Sequence, residues 1–452
     1  MRSGFYLVIT LFMLMGLASC AQTDTFISEE EVEIDALSLF FDESAVFSQS
    51  NTGFILIDPE TGETIHERGA DRYYIPASNM KMLTLFAAAE SLPDTLPSLL
   101  YTVQNDTLYF HGTGDPAFLN PNFEENGVFE FLKNREETLV YTDHLYDDEH
   151  FGSGWSWDWY PASYAPEKTP FPIYGNMMRV QARQISLLIL DEETPVEPKF
   201  FEQFIDNKGW NGSQNELARR DYQTNTILYV PKSDTVAQVR NIPFKYESEF
   251  FAEMLSDTLG REVLKVEKPE IVFTDTLFAT PADTLYKRMM IISDNFVAEQ
   301  LMLMISLQKS GIMNTEDAID FTLENSLYNL SSKPQWRDGS GLTRYNLVTP
   351  RSIVQLLEMF IDRYGEEKAL TYFPVGGVSG TIRSLYRAPE GERPYVYAKT
   401  GTLSNNTALS GYVFTDSGKR LNFSFINNNY VISNFEIRSE MQNALELIKE
   451  YY

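Results

Sequence analysis

The stretch ASNMKMLTLFAAAE, residues 77–90, decides how the rest of the chain reads. Met, Leu and Ala dominate it, neither Gly nor Pro interrupts it, and Pro93 follows, so it predicts a helix. At its start Ser78 and Lys81 stand three residues apart, and on a helix that spacing puts two side chains on one face, within hydrogen-bonding reach. A serine hydroxyl is a weak nucleophile until a base takes its proton. The four histidines, His66, His111, His144 and His150, lie in no suitable context, so the base falls to Lys81. Free N–H groups and the helix dipole in the first turn favour negative charge developing at Ser78. Lys81 must release a proton against an ordinary pKa of about 10.4, which burial and a second cation nearby would promote.

Two further motifs give this pair a context. Ser293-Asp294-Asn295 lies between helical stretches, and Lys399-Thr400-Gly401-Thr402 lies on a predicted strand. Each motif alone is weak. Ser-x-x-Lys recurs at Ser306–Lys309, where Lys309 and Gly311 read as a helix end, and Ser-x-Asn recurs at Ser213–Asn215 and Ser404–Asn406. Only one order places a helix-borne Ser-x-x-Lys, an interhelical Ser-x-Asn and a strand-borne Lys-Thr-Gly in succession.

Outward from these motifs, helical spacing runs from Glu29 to about Ser48. A hairpin is predicted from Thr52–Ile57 and Glu63–Glu67 around Asp58-Pro59-Glu60-Thr61-Gly62. Helical patterning returns at 282–309 and 352–364. Tyr395–Leu403, Ala408–Phe414 and Arg420–Ile426 read as successive antiparallel strands, and Asn434–Tyr452 as a closing helix. Residues 96–275 have a different texture, with short alternating segments broken by Gly, Pro and Asn. The expectation is an α/β (α+β) fold: an antiparallel sheet flanked by helices, split between residues 36–95 and 276–452, with a β-rich inserted region at 96–275. Within the insert, Trp155–Tyr160 holds three of the five tryptophans and reads as a packed corner.

Of 452 residues, 64 are acidic and 36 basic, a net charge of −28, which argues against a phosphate-tracking surface and hence against nucleic acid as a partner. A single cysteine, Cys20, excludes disulfides, and with four scattered histidines no metal site and no cofactor is expected. Met1-Arg2, an apolar run from Phe5 to Leu17 and Ala18-Ser19-Cys20 describe a secretory signal too short to span a bilayer with normal flanks. Leu17-Ala18-Ser19-Cys20 also resembles the lipobox of bacterial lipoproteins. The expectation is a signal peptide at 1–19, lipid attachment at Cys20 and an acidic tether over 20–35, so that lipid alone meets the membrane and the fold faces the periplasmic side. A plain signal with an incidental cysteine is the alternative.

The three motifs resemble those of the penicillin-recognising serine enzymes. Their wider contexts resemble one branch, the D-alanyl-D-alanine carboxypeptidase/endopeptidases of the penicillin-binding protein 4 (DacB) type, peptidase family S13. The matching stretches are Pro76–Lys81, Gly112-Thr113-Gly114-Asp115-Pro116, Ser293-Asp294-Asn295-Phe296, Asp338-Gly339-Ser340-Gly341-Leu342 and Ala398–Thr402. The pattern departs at Gly380-Thr381-Ile382-Arg383. The resemblance implies a penicillin-binding/β-lactamase-like transpeptidase domain acting on peptidoglycan stem peptides, with β-lactams as covalent inhibitors. It implies that Ser78 attacks the penultimate D-alanine carbonyl with Lys81 as base, that Ser293 relays a proton to the leaving D-alanine, and that Asn295 holds the substrate amide. Lys399, Thr400 and Thr402 would receive the terminal carboxylate beside Gly401, and the N–H groups of Ser78 and Thr402 would form the oxyanion hole. Asp338–Leu342 reads as a turn behind the site. Two other readings stand beside this one: a β-lactamase of the same fold, for which no general-base Glu is recognisable between the first two motifs, and a catalytically silent muropeptide-binding envelope protein.

Overall fold

The three C-terminal apolar runs form strands Val396–Leu403, Asn406–Phe414 and Arg420–Asn428, and the hairpin strands Asn51–Asp58 and Glu63–Arg68 extend their sheet. The join between the two ends of the chain is antiparallel, from Asn51 opposite Asn428 to Ile57 opposite Asn422. The Lys-Thr-Gly strand, Val396–Leu403, lies at the outer edge of this five-stranded sheet. The structure is a computed structural model and describes residues 36–124, 127–182, 196–206, 218–229 and 238–452. The signal at 1–19, Cys20, the 20–35 tether, the start of the first predicted helix and Ser213–Asn215 lie outside the described residues.

Both faces of the sheet are covered, which is why its central strands read as continuous apolar runs rather than alternating ones. One face packs Phe54, Leu56, Leu409, Phe423 and Phe425 against the helices Ala36–Glu43 and Asn434–Tyr451. The opposite face sends Ala408, Tyr412 and Ile426 into a larger core with the helices Met80–Ser91, Asn295–Ser310 and Pro350–Tyr364. The period-2 alternation of strand side chains sorts these residues between the two cores.

The 282–309 helical pattern divides at the interhelical Ser293-Asp294-Asn295 motif into two helices, Ala282–Ile291 and Asn295–Ser310. Ser293 takes a positive φ of 64°, and Asp294 starts the second helix by accepting the Val297 N–H at 3.1 Å. The capping chemistry of Asp294 outweighs the continuity of the apolar pattern. The second Ser-x-x-Lys copy ends this helix, with Gly311 at φ 80° and Lys309 over the Phe321 ring.

Among the described residues of 96–275 the strands build a five-stranded and two three-stranded sheets, with helices at Val128–Lys133 and Ser248–Leu259. The strands Thr95–Gln104 and Asp275–Pro281 pair side by side, so the chain leaves and re-enters the outer framework of sheet and helices at one place. Gln300, fully buried on the helix Asn295–Ser310, pins this region with three bonds: it accepts the Thr169 N–H and donates to the carbonyls of Gly114 and Thr169. Among the described residues no helix is long and apolar enough to cross a membrane.

Candidate active site

Ala77–Asn79 form one 3-10 turn that runs into the helix Met80–Ser91, placing Ser78 at the helix mouth and Lys81 one turn on. Ala77 has φ 49°, a left-handed conformation that costs a non-glycine residue about 1 kcal/mol or more. Its neighbours hold it there. Asn79 Nδ2 donates to Ser410 Oγ at 2.8 Å, and Asn428 grips both backbone atoms of Ile75 at 2.7 and 3.1 Å. A Cβ on Gly401 would stand 2.4 Å from the Pro76 carbonyl and 3.1 Å from Ser78 N, so the edge strand and the serine turn touch backbone to backbone.

Lys81 is fully buried, and its three N–H bonds find three acceptors: Ser78 Oγ at 3.1 Å, Asn295 Oδ1 at 2.6 Å and the Ser340 carbonyl at 2.6 Å. Burial brings its pKa down to about 8, while the carboxylates of Asp338, Glu299 and Asp294 pull the other way. Lys399, also fully buried, donates to Ser293 Oγ at 2.8 Å and to its neighbour's carbonyl, Thr400 O, at 2.9 Å. Burial, and then the charge of Lys81, hold it well below the ordinary lysine range. Of the two influences expected on the base, burial dominates at Lys81, and the repulsion between the two amines falls on Lys399 rather than on Lys81.

The Asp338–Leu342 turn, expected behind the site, supplies the Ser340 carbonyl directly to Lys81. Asp338 ties the turn down by accepting from Gly341 N at 2.8 Å, Thr343 N at 2.7 Å, Asn346 Nδ2 at 2.6 Å and Trp155 Nε1 at 2.8 Å. Glu299, one turn beyond Asn295, accepts the Ser340 N–H at 2.7 Å and the Gly339 N–H at 3.3 Å. Burial, then the neighbouring Asp338 charge, raises its carboxyl to about 7. Trp155 therefore bridges the insert to this turn, more than the packed corner expected of it. Trp157 is 61% exposed and stacks flat on Tyr160 and Tyr222. Asn295 Nδ2 donates to the Tyr164 carbonyl at 2.8 Å, so one amide spans the base and the insert.

On the outer wall Thr400 Oγ1 donates to Thr381 Oγ1 at 2.7 Å, which places the departing Gly380–Arg383 stretch beside the Lys-Thr-Gly strand. Arg438 Nη2 donates to Thr402 Oγ1 at 2.8 Å from the last helix. The structure thus gathers Ser78, Lys81, Ser293, Asn295, Lys399, Thr400, Gly401 and Thr402 into one site; Cys20 lies outside the described residues. Sequence reasoning missed Glu299, the Ser340 and Tyr164 carbonyls, Thr381 and Arg438. Backbone acceptors carry no side-chain signature, and a charged residue on a helix reads as solvated surface.

An antiparallel sheet with flanking helices, a helix-borne Ser–Lys pair and an edge-strand Lys-Thr-Gly define the penicillin-binding/β-lactamase-like class of serine enzymes. The chain belongs to the D-Ala-D-Ala carboxypeptidase 3 (S13) family, whose model matches residues 38–451. It is a serine-type D-Ala-D-Ala carboxypeptidase. A D-alanyl-D-alanine carboxypeptidase of Actinomadura sp. (strain R39) is 26% identical over 450 residues, covering 89% of this chain and 82% of that protein. The D-alanyl-D-alanine carboxypeptidase DacB of Haemophilus influenzae is 22% identical, covering 89% of this chain and 90% of that protein. The crystal structure of penicillin binding protein 4 (dacB) from Haemophilus influenzae has a TM-score of 0.72 at 20% identity, covering 92% of this chain and all of that one.

Proposed function

We propose that this site hydrolyses the terminal D-Ala-D-Ala bond of peptidoglycan stem peptides, and peptide cross-links as well, through an acyl-enzyme on Ser78. The observation that carries the assignment is Lys81: a buried amine, depressed to about 8, standing 3.1 Å from Ser78 Oγ. Its neutral form takes the Ser78 proton as the oxygen attacks the penultimate D-alanine carbonyl. The N–H groups of Ser78 and Thr402 receive the oxyanion; Thr402 lies on an edge strand, where every second N–H faces away from the sheet. Ser293, bonded to Lys399, hands a proton to the departing D-alanine amine. A substrate amide competes with the Tyr164 carbonyl for Asn295 Nδ2. Lys399, Thr400 and Thr402 receive the terminal carboxylate, with Gly401 letting the edge strand approach, and water releases the acyl group.

β-Lactams would acylate Ser78 by the same attack; a solved structure of Haemophilus influenzae penicillin binding protein 4 (dacB) is complexed with a β-lactam, at a TM-score of 0.67 and 20% identity. Residues 36–95 and 276–452 form the peptidase domain in this reading, and 96–275 a separate inserted region that walls the cleft. Mass spectrometry of products from purified muropeptides tests the proposal. The expected products are tetrapeptides lacking the terminal D-alanine, together with monomers released from cross-linked dimers. Unchanged pentapeptide and unchanged dimer would defeat it.

The chain is further proposed to be an extracytoplasmic lipoprotein, its signal at 1–19 removed and its fold tethered at Cys20 on the periplasmic side. The lipobox-like Leu17–Cys20 supports this, together with a substrate class found in the cell wall. Cys20→Ser is expected to move the protein from the membrane fraction to the soluble fraction. Fractionation unaltered by the substitution would remove the anchor.

A further inference from the structure

The outer wall of the site holds a cation that the motifs do not contain. Arg438 sits half-buried in the first turns of the last helix, Asn434–Tyr451, and directs Nη2 at Thr402 Oγ1, 2.8 Å away. Among the described residues no carboxylate pairs with it, although the chain carries 64 acidic residues. Glu436, two residues upstream, is committed to Ser433 in the capping box of the helix. Together with Thr381, Thr400 and Thr402, Arg438 lines a small recess between the Lys-Thr-Gly strand, its neighbouring strand and the last helix.

The hydrogen bonds around this recess decide what each group can still do. Thr400 spends its hydroxyl proton on Thr381 Oγ1. Thr402 accepts from Arg438, and among the described residues its own hydroxyl donates to nothing, so its proton is available to a ligand. A hydroxyl whose oxygen accepts from a guanidinium is polarised and becomes a better donor. Lys399, by contrast, is fully buried and directs its amine at Ser293 and at its own strand. Burial and the neighbouring amine of Lys81 both work against its charge. A guanidinium is a permanent cation with a planar fork of donors suited to a carboxylate.

We propose that Arg438 is a second charge, beside Lys399, that recognises the C-terminal carboxylate of the substrate, acting through and next to the Thr402 hydroxyl. The inference rests on the carboxypeptidase reading and adds to it a specificity residue that lies outside the three motifs. In this arrangement Lys399, bonded to Ser293, keeps its place beside the carboxylate, while Arg438 and Thr402 add the selection of a free acid over a neutral terminus.

The test compares two substrates on one enzyme: a peptide ending in D-Ala-D-Ala, and the same peptide with its terminal carboxyl as the methyl ester. R438Q is expected to lower kcat/KM for the free acid about tenfold, the worth of one charge-assisted contact, chiefly through KM. The preference for free acid over ester is expected to fall by the same factor. R438K, which keeps the charge but loses the fork, is expected to retain an intermediate preference. Arg438 is half-exposed on a helix, so both substitutions suit the backbone, and a thermal melt checks that each variant is folded. Equal losses on acid and ester, or an unchanged preference in R438Q, would overturn the role of Arg438 alone. Wild type that cleaves neither peptide would remove the carboxypeptidase reading, and this inference with it.

Discussion

Lys81→Met is expected to slow acylation by about 10³-fold or more, measured as the rate at which a fluorescent penicillin labels Ser78. The size follows from the geometry. Lys81 is the group on the Ser78 hydroxyl, and its three N–H bonds also hold Asn295 and the Ser340 carbonyl. Methionine keeps the length and the apolar stem but takes no proton. The substitution also removes the desolvation cost of a buried ammonium while leaving three acceptors without their donor, and these effects oppose one another. Thermal melting of the variant therefore separates lost chemistry from lost fold. Wild type carries its own check. A base with a pKa of about 8 is protonated in about nine molecules of ten at pH 7. The acylation rate should climb almost tenfold per unit below pH 7 and level off above about 8.5. Labelling by Lys81→Met at the wild-type rate, or a profile flat from pH 6 to 9, would show that another group takes the proton.

The parts of this site that announce themselves in the sequence are those whose chemistry is local. Ser78 and Lys81 share a helix, the Lys-Thr-Gly strand is an apolar run beside two others, and the loop Asp58–Gly62 is turn chemistry after the apolar run Thr52–Ile57. Each follows from propensity and period within a dozen residues. The break at Ser293 was also open to view, because Ser-Asp-Asn is capping chemistry in the middle of a helical pattern. The remainder depends on which distant segments meet. The Ser340 carbonyl reaches Lys81 across 259 positions and Trp155 reaches Asp338 across 183. Nothing in the composition near Glu299 distinguishes a carboxylate that clamps a loop from one that faces water. Burial is foreseeable as what lowers the Lys81 pKa, but its completeness is of the same kind, since it is set by the packing of helices and sheet that the motifs do not describe.

Gly341→Ala is expected to cost about 10²-fold or more in acylation and several degrees in melting temperature. Gly341 has φ +84°, and a Cβ built there would stand 1.9 Å from the Ala77 carbonyl oxygen, 2.5 Å from its carbon and 3.0 Å from Ser78 N. Backbone cannot swing aside as a side-chain tip can, so either the 338–342 turn or the serine turn must move. The first choice pulls the Ser340 carbonyl off Lys81 and works against Asp338 and Glu299, which tie that turn down. The second displaces Ser78 and its N–H, and Ala77 already holds a conformation with little room to yield. A shift of about 1 Å at reacting atoms commonly costs about 10² in rate, and the left-handed backbone alone costs alanine about 1–2 kcal/mol. Gly391→Ala is the matched control: its φ is +89°, but a Cβ there meets nothing within 4 Å. That variant is expected to lose some stability and to label at the wild-type rate. If Gly341→Ala also labels within about threefold of wild type, the contact between the two turns does not position the nucleophile, and the platform assigned to Asp338, Glu299 and Ser340 is scaffolding with no hold on the reaction.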